Sequence, residues 1–394
     1  MNLRLLTICL LITIVSCKKE NNSSTAPIPD QTEINLLKIN QLQILGSHNS
    51  YHKHMSTALF DALTSINFIL PAEYKVEELD YSHEPLSVQL NTYGIRNFEI
   101  DIYADPQGGR YYNRQGNTFL SQPAASGIDK LNEPGFKVLH IPDIDFETHY
   151  YTFKDNLQAL KDWSDAHPNH LPIFLHIEAK EKSIGDVVGS LGFITALPFT
   201  PSLCDDIDSE IKSVFGANLD KVITPDKVRD TFPSLEQAVL ADNWPTIGES
   251  RGKFIFVMEG GATDDYLLGH PYLQGRVMFL YGDTTGNPES AILIYNNSIA
   301  DEAKIKSAVE KGYIIRTRAD GPNRENKTGN YDKQNAAFRS GAQIVTTDYY
   351  RPDPRYQTDP ANFKNYSCRF PNGALAKINP VSAPDKQNAG IIAE

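Results

Sequence analysis

Four cysteines in 394 residues are too few for a disulfide scaffold. Basic charge is in deficit as well. The 37 Lys and Arg stand against 49 Asp and Glu, a formal balance of −12, which excludes a protein that coats nucleic acid through a basic face. With 25 Gly and 24 Pro, the chain has too little of either for collagen or low-complexity sequence. No internal repeat is visible. What is present is a 40% hydrophobic composition, ample for one large barrel-type domain or two smaller ones.

The N-terminus opens with one basic residue, Arg4, and an apolar run from Leu5 to Val15 that closes on Ser16-Cys17. That run is too short for a permanent bilayer span and has the proportions of a signal peptide. Ile14-Val15-Ser16-Cys17 resembles the lipobox of bacterial lipoproteins. The resemblance implies a signal peptide over 1–16, lipidation of Cys17, and a bacterial cell-envelope location with the membrane reached through that anchor. The alternative is an ordinary secretion signal in which Cys17 is incidental. A polar, Pro-containing stretch follows and reads as a tether over 17–40. Cys204 and Cys368 then remain, as a disulfide or as two buried thiols; the sequence leaves both open.

Short runs rich in Ile, Val and Phe recur along the body: Leu42–Leu45, Ile95–Ile102, Phe136–Ile141, Pro172–Ile177, Lys253–Met258, Val277–Tyr281, Tyr313–Thr317 and Gln343–Thr346. Amphipathic stretches lie between them. In Asp155–Ala166, Leu157, Leu160 and Trp163 share one helical face, with Asp155 as the cap. Strands alternating with helices predict a parallel sheet, and eight strands predict a (β/α)₈ TIM barrel over about 41–350. Ala291–Tyr295 is a ninth strand candidate, 183–251 holds extra helices and loops, and 351–394 reads as an irregular tail.

In a parallel barrel the strands are buried on both faces, so charge in them needs a reason. Glu99 and Asp101 alternate with apolar residues in Phe98–Ile102 and so share a face. His176, Glu178 and Lys180 repeat that spacing, and so do Arg316, Arg318 and Asp320. The first strand ends in Gly46-Ser47-His48-Asn49-Ser50-Tyr51, and another in Val138-Leu139-His140. Adjacent buried carboxylates repel unless a cation neutralises them. Carboxylates with an amide oxygen suit a hard cation such as Ca²⁺, with Mg²⁺ less favoured. A cation and arginines beside two histidines suit a phosphodiester substrate. A buried ion-pair cluster of Glu99 and Asp101 with Arg316 and Arg318 would explain the charges without a metal, but not the histidines.

In order, GSHNSY, FEID, VLH, FLHIEAK, RTRAD and SGAQIVTTDY resemble the PLC-like phosphodiesterases. Within these they are similar to the calcium-dependent phosphoinositide-specific phospholipase C group, over roughly Leu42 to Tyr350. The resemblance implies that His48 and His140 are the catalytic pair. It implies Asn49, Glu99, Asp101 and Glu178 as Ca²⁺ ligands, and Lys180, Arg316 and Arg318 as holders of the phosphate or headgroup of a phospholipid. The reaction it implies is attack of the inositol 2-hydroxyl on phosphorus, with diacylglycerol leaving. The rival readings are a glycerophosphodiester phosphodiesterase, whose first motif has Arg-Gly after His where this chain has Asn49-Ser50, and a non-catalytic envelope lipoprotein that binds a phosphorylated ligand. His176 falls one layer deeper in the barrel. His52, His54, His83, His149, His167, His170 and His270 read as surface or structural.

Overall fold

The computed structural model describes residues 31–71, 74–188, 192–387 and 392–394. The expected signal peptide over 1–16 and the expected lipidation site Cys17 lie outside the described residues. Eight parallel strands close into a barrel: β1 (Leu42–Ser47), β2 (Asn97–Tyr103), β4 (Ile173–Ala179), β5 (Phe254–Gly260), β6 (Phe279–Gly282), β7 (Ile292–Ile294), β8 (Ile314–Arg318) and β9 (Ile344–Thr347). β1 closes the ring by pairing with both β9 and β2. β1 and β2 are buried on both faces, so the charged residues that alternate with apolar ones in β2 are buried as well.

The membership of the ring differs from the sequence expectation at one place. Phe136–Ile141 yields only β3 (Lys137–Val138), which pairs antiparallel with the end of β2, outside the barrel. The eighth barrel strand is Ala291–Tyr295, as β7. Two short apolar runs carry the same periodicity, and only the pairing partner separates a barrel strand from an edge. The tail also departs from expectation, since Ala376–Ile378 forms β10, antiparallel to β1. The tether ends earlier than residue 40. A helix at Thr32–Leu36 buries Ile34, and the chain docks through Ile39 N–H on the Pro245 carbonyl (3.1 Å) and Ile247 N–H on Leu37 (2.7 Å).

The helix between β3 and β4 runs Phe153–Ala166 and buries Leu157, Leu160 and Trp163, as the spacing predicts. Its cap is Thr152, whose hydroxyl accepts from Asp155 N–H at 3.1 Å. Asp155 stands inside the first turn instead, where its charge favours the helix N-terminus. Between β4 and β5 the extra helices include Pro201–Phe215, Pro225–Arg229 and Leu235–Leu240. Cys204 and Cys368 are both free and buried. Among the described residues, no helix is long and apolar enough to cross a membrane.

A second apolar cluster sits apart from the barrel core. It gathers Met55, Leu59, Tyr111, Leu139, Ile141, Phe146, Ile184 and Phe193 from the long connections after β1, β2, β3 and β4, with Tyr103 from the end of β2. These connections leave from the C-terminal ends of their strands, where barrel active sites are built. Tyr111 is buried in that cluster, and Phe119 packs edge-on against Phe193.

Candidate active site

The end of β1 is shaped by its neighbours. A Cβ on Gly46 would lie 2.5 Å from Asn97 Oδ1 and 2.9 Å from Thr346 Cγ2, so β1 can pass between β2 and β9 only with glycine there. Ser50 then returns to β2. Its hydroxyl accepts from Glu99 N–H at 2.8 Å, and its own N–H donates to the Glu99 carbonyl at 2.9 Å. Asn49 takes a left-handed φ of 46°, a conformation asparagine tolerates better than most residues. This fold-back places His48 and Asn49 at the barrel mouth, above the charged residues of β2.

His48 Nδ1 lies 2.7 Å from Asp348 Oδ1, at the end of β9. The other Asp348 oxygen accepts from Arg318 Nη2 at 2.6 Å. Burial alone would raise the Asp348 carboxyl, but Arg318 and His48 hold it well below the usual carboxylate range. Asp320, from the RTRAD run, accepts the Asp348 N–H at 2.8 Å and fixes the backbone beneath that carboxylate.

His140 Nδ1 lies 2.6 Å from Asp145 Oδ2. A tight turn makes this possible, since Ile141 and Asp145 exchange backbone hydrogen bonds at 3.1 and 3.0 Å. The same Asp145 oxygen is 2.7 Å from His52 Nε2. Burial would raise Asp145, but His52 and His140 hold it far below its ordinary value. Burial lowers the pKa of His140, against the opposing pull of Asp145.

The carboxylates lie in register across the barrel wall, with Asp101 opposite Glu178 and Glu178 opposite Glu259. Glu99, Asp101 and Glu178 each place an oxygen within 4.8 Å of the other two. Glu99 is already neutralised: Arg316 Nη2 is bonded to its Oε2, and His176 Nδ1 is 3.3 Å from the same oxygen. His176 in turn reaches Glu259 at 2.7 Å. It is buried below the mouth, and its carboxylate neighbours outweigh burial and push its pKa up to about 9.

Asp101 is different. Neither of its buried oxygens makes a hydrogen bond of good geometry, with only the buried Tyr51 hydroxyl and Lys180 beside them, and the buried Oδ1 of Asn49 makes none. Lys180 Nζ stands 3.4 Å from Asp101 and 3.1 Å from Glu178, one ammonium shared by two carboxylates. Burial, opposed by Lys180 and reinforced by Glu178 and Glu99, pushes Asp101 up to about 8. A buried group of oxygen donors with unmet bonding capacity fits a hard divalent cation. The mouth around it is open. A cavity of about 590 Å³ is lined by Tyr74, Tyr103, His140, Glu178 and Lys180. A second of about 680 Å³ continues past Glu178 to Glu259, Asp283 and Glu289.

The nine residues that the resemblance implies as catalytic, ligand or phosphate-holding groups lie together at the C-terminal ends of the barrel strands, with His176 buried below them. The ion-pair alternative is realised for Glu99 with Arg316, but not for Asp101, whose cation is Lys180. Arg318 bridges Asp348 and His48, with Nη2 2.6 Å from Asp348 Oδ2 and Nη1 3.3 Å from His48 Nε2. Sequence reasoning missed Asp145, His52 and Asp348 as partners of the two histidines. Asp348 lies within the quoted SGAQIVTTDY, at a strand end, and that position was its signal. His52 is 93 positions from Asp145, and no local pattern links them.

A family model described as Ca²⁺-dependent phosphoinositide phospholipase C matches residues 37–380. A sequence comparison with curated proteins returns no match. Among solved structures, the chain is similar to the apo form of a calcium-dependent phosphoinositol-specific phospholipase C from a Pseudomonas species. The identity is 14%, with 88% of this chain and 96% of that one covered, at a TM-score of 0.50. The myo-inositol complex of the enzyme from a Pseudomonas species aligns at 15% identity with the same coverage and TM-score. A Ca²⁺-dependent phosphatidylinositol-specific phospholipase C from Streptomyces antibioticus aligns at 16% identity, covering 84% of this chain and 99% of its own, at 0.46. At these identities the likeness to the Pseudomonas structures bears on the fold alone; the family model, matching most of the chain, establishes the family. The chain belongs to the Ca²⁺-dependent phosphoinositide phospholipase C family and is a phosphodiesterase of the phospholipase C type.

Proposed function

We propose that the chain cleaves phosphatidylinositol-like phosphodiesters into diacylglycerol and a cyclic inositol phosphate, with His48 and His140 moving the protons. The observation that carries this reading is the pair of His–Asp couples, His48–Asp348 and His140–Asp145, at the same mouth as the Glu99, Asp101 and Glu178 carboxylate cluster. An aspartate on Nδ1 fixes the tautomer and makes Nε2 the proton-accepting atom; at His48 that atom faces Arg318 Nη1 at 3.3 Å, a contact that substrate must replace. His48 Nε2 takes the proton of the inositol 2-hydroxyl, whose oxygen attacks phosphorus. The bond from phosphorus to the glycerol oxygen breaks, and His140 Nε2 supplies the proton to that leaving oxygen.

Asn49 Oδ1, Asp101 and Glu178 are the residues assigned to hold Ca²⁺, with Glu99 beside them as a ligand shared with Arg316. Bound there, Ca²⁺ would acidify the attacking hydroxyl and offset charge developing on the phosphoryl oxygens. Lys180, freed from Asp101, and Arg318 would face the phosphate.

The discriminating experiment offers purified protein phosphatidylinositol and, separately, water-soluble glycerophosphodiesters. Diacylglycerol release from phosphatidylinositol is the expected result; turnover of glycerophosphodiesters alone would overturn the headgroup assignment. H48A and H140A should each abolish turnover with the fold intact, and near-normal activity in either would remove that residue from the acid–base pair. We also propose an envelope location through lipidated Cys17, supported by the lipobox resemblance. C17A should then move the protein from the membrane to the soluble fraction.

A further inference from the structure

Tyr81 belongs to none of the motifs and contacts three parts of the site at once. It is buried, and its hydroxyl accepts a hydrogen bond from Asn49 Nδ2 at 2.8 Å. Its ring stacks on His52, with centroids 4.4 Å apart and planes at 25°, and lies 6.3 Å from the ring of His48 at 24°. The chain on either side is pinned. Asp80 accepts from Arg355 Nη1 at 2.9 and 2.8 Å, and His83 Nε2 is 2.7 Å from the His48 carbonyl. The phenol is therefore fixed before any ligand arrives.

A primary amide has two faces of nearly equal shape, one an acceptor and one a double donor. Only the oxygen face can ligate a cation. Nδ2 of Asn49 is held by the Tyr81 oxygen, while Oδ1 is buried with no hydrogen-bond partner. A flip of the amide would put its NH₂ where Oδ1 now stands and would bring oxygen against oxygen at Tyr81, unless the phenol turned its proton toward Asn49.

We propose that Tyr81 is a positioning residue for calcium: its hydroxyl, held in place by the stack on His52, locks the Asn49 amide with Oδ1 presented to the cation. The inference rests on the reading of Asn49 as a Ca²⁺ ligand. Orienting partners of this kind change metal affinity by about 10- to 100-fold when removed.

The test is a calorimetric Ca²⁺ titration of the whole protein, without substrate, for wild type, Y81F, N49A, Y81F/N49A and D101N. Y81F keeps the ring and its stack, so the fold is preserved, and unchanged circular dichroism checks this. The expected result is about a tenfold loss of Ca²⁺ affinity in Y81F, a loss in N49A, and no further loss when the two are combined. An equal further loss in the double variant would mean that Tyr81 acts independently of Asn49 and would overturn the proposal. Wild-type affinity in Y81F, with weakened binding in N49A and D101N, would overturn the role of Tyr81 and leave the calcium assignment standing. Unchanged affinity in both N49A and D101N would overturn the calcium assignment at this cluster, and the proposal with it.

Discussion

His140 and Asp145 are five positions apart, and the turn between them brings Nδ1 of the histidine to 2.6 Å from Oδ2 of the aspartate. That oxygen is also 2.7 Å from His52 Nε2, so one carboxylate orients the proposed acid and is itself anchored by a fully buried imidazole. His140 thus carries its orienting group within its own loop, whereas His48 draws Asp348 from the far end of the chain.

Replacing Asp145 with Asn removes the charge that opposes desolvation of His140. Burial already lowers the pKa of His140, and Asp145 is the group that raises it. In D145N the pKa falls further, so the alkaline limb of the rate profile, where a general acid loses its proton, moves to lower pH. Loss of tautomer control should cut kcat by about 10²- to 10⁴-fold. A kcat–pH profile of D145N against wild type checks both the direction and the size.

Gly46 joins the fold to the site. In G46A the new methyl would meet Asn97 Oδ1 and Thr346 Cγ2 at contact distances too short for real Cβ atoms. Strands on both sides must yield, at a cost of about 1–3 kcal/mol. The displacement falls one residue before Ser47-His48. Thermal unfolding should show a lower Tm, and turnover should fall with it at temperatures where the variant remains folded.

A histidine outside the active site contributes to the pH dependence of stability. His170 is fully buried, its Nδ1 2.6 Å from the Leu171 carbonyl and its Nε2 2.8 Å from Ser164 Oγ. Burial lowers its pKa to about 4 from 6.5. The unfolded chain therefore binds a proton that the folded chain refuses between those values. The stability involved is fully present above pH 6.5 and is lost as pH falls toward 4, about 3 kcal/mol in all. H170Q should flatten the slope of unfolding free energy against pH in that window, measured by denaturant titration at several pH values.

The barrel and the charged rim were legible in the sequence because buried strands tolerate charge only for a reason, so Glu99, Asp101, Glu178, Arg316 and Arg318 stood out against apolar neighbours. Their partners were less legible. Asp145 and His52 sit in loops with no periodicity, and their pairing crosses 93 positions. Tyr81 is an aromatic in a connection, indistinguishable in sequence from the many that only pack. The exchange of β3 for β7 has the same origin: a short apolar run records burial but not which strand lies beside it. Lys180 was read as a phosphate contact, yet its ammonium rests on Asp101 and Glu178, a position that depends on the three-dimensional closeness of two strands.

The cluster of Glu99, Asp101 and Glu178 suits this mouth to a divalent cation. The most direct measurement is hydrolysis of phosphatidylinositol vesicles by the purified protein after chelation with EDTA, followed by stepwise return of Ca²⁺. Diacylglycerol release should be lost on chelation and recover with Ca²⁺, and Ca²⁺ should not rescue a D101N variant. Phosphatidylinositol cleavage that continues undiminished in EDTA would contradict the cation assignment.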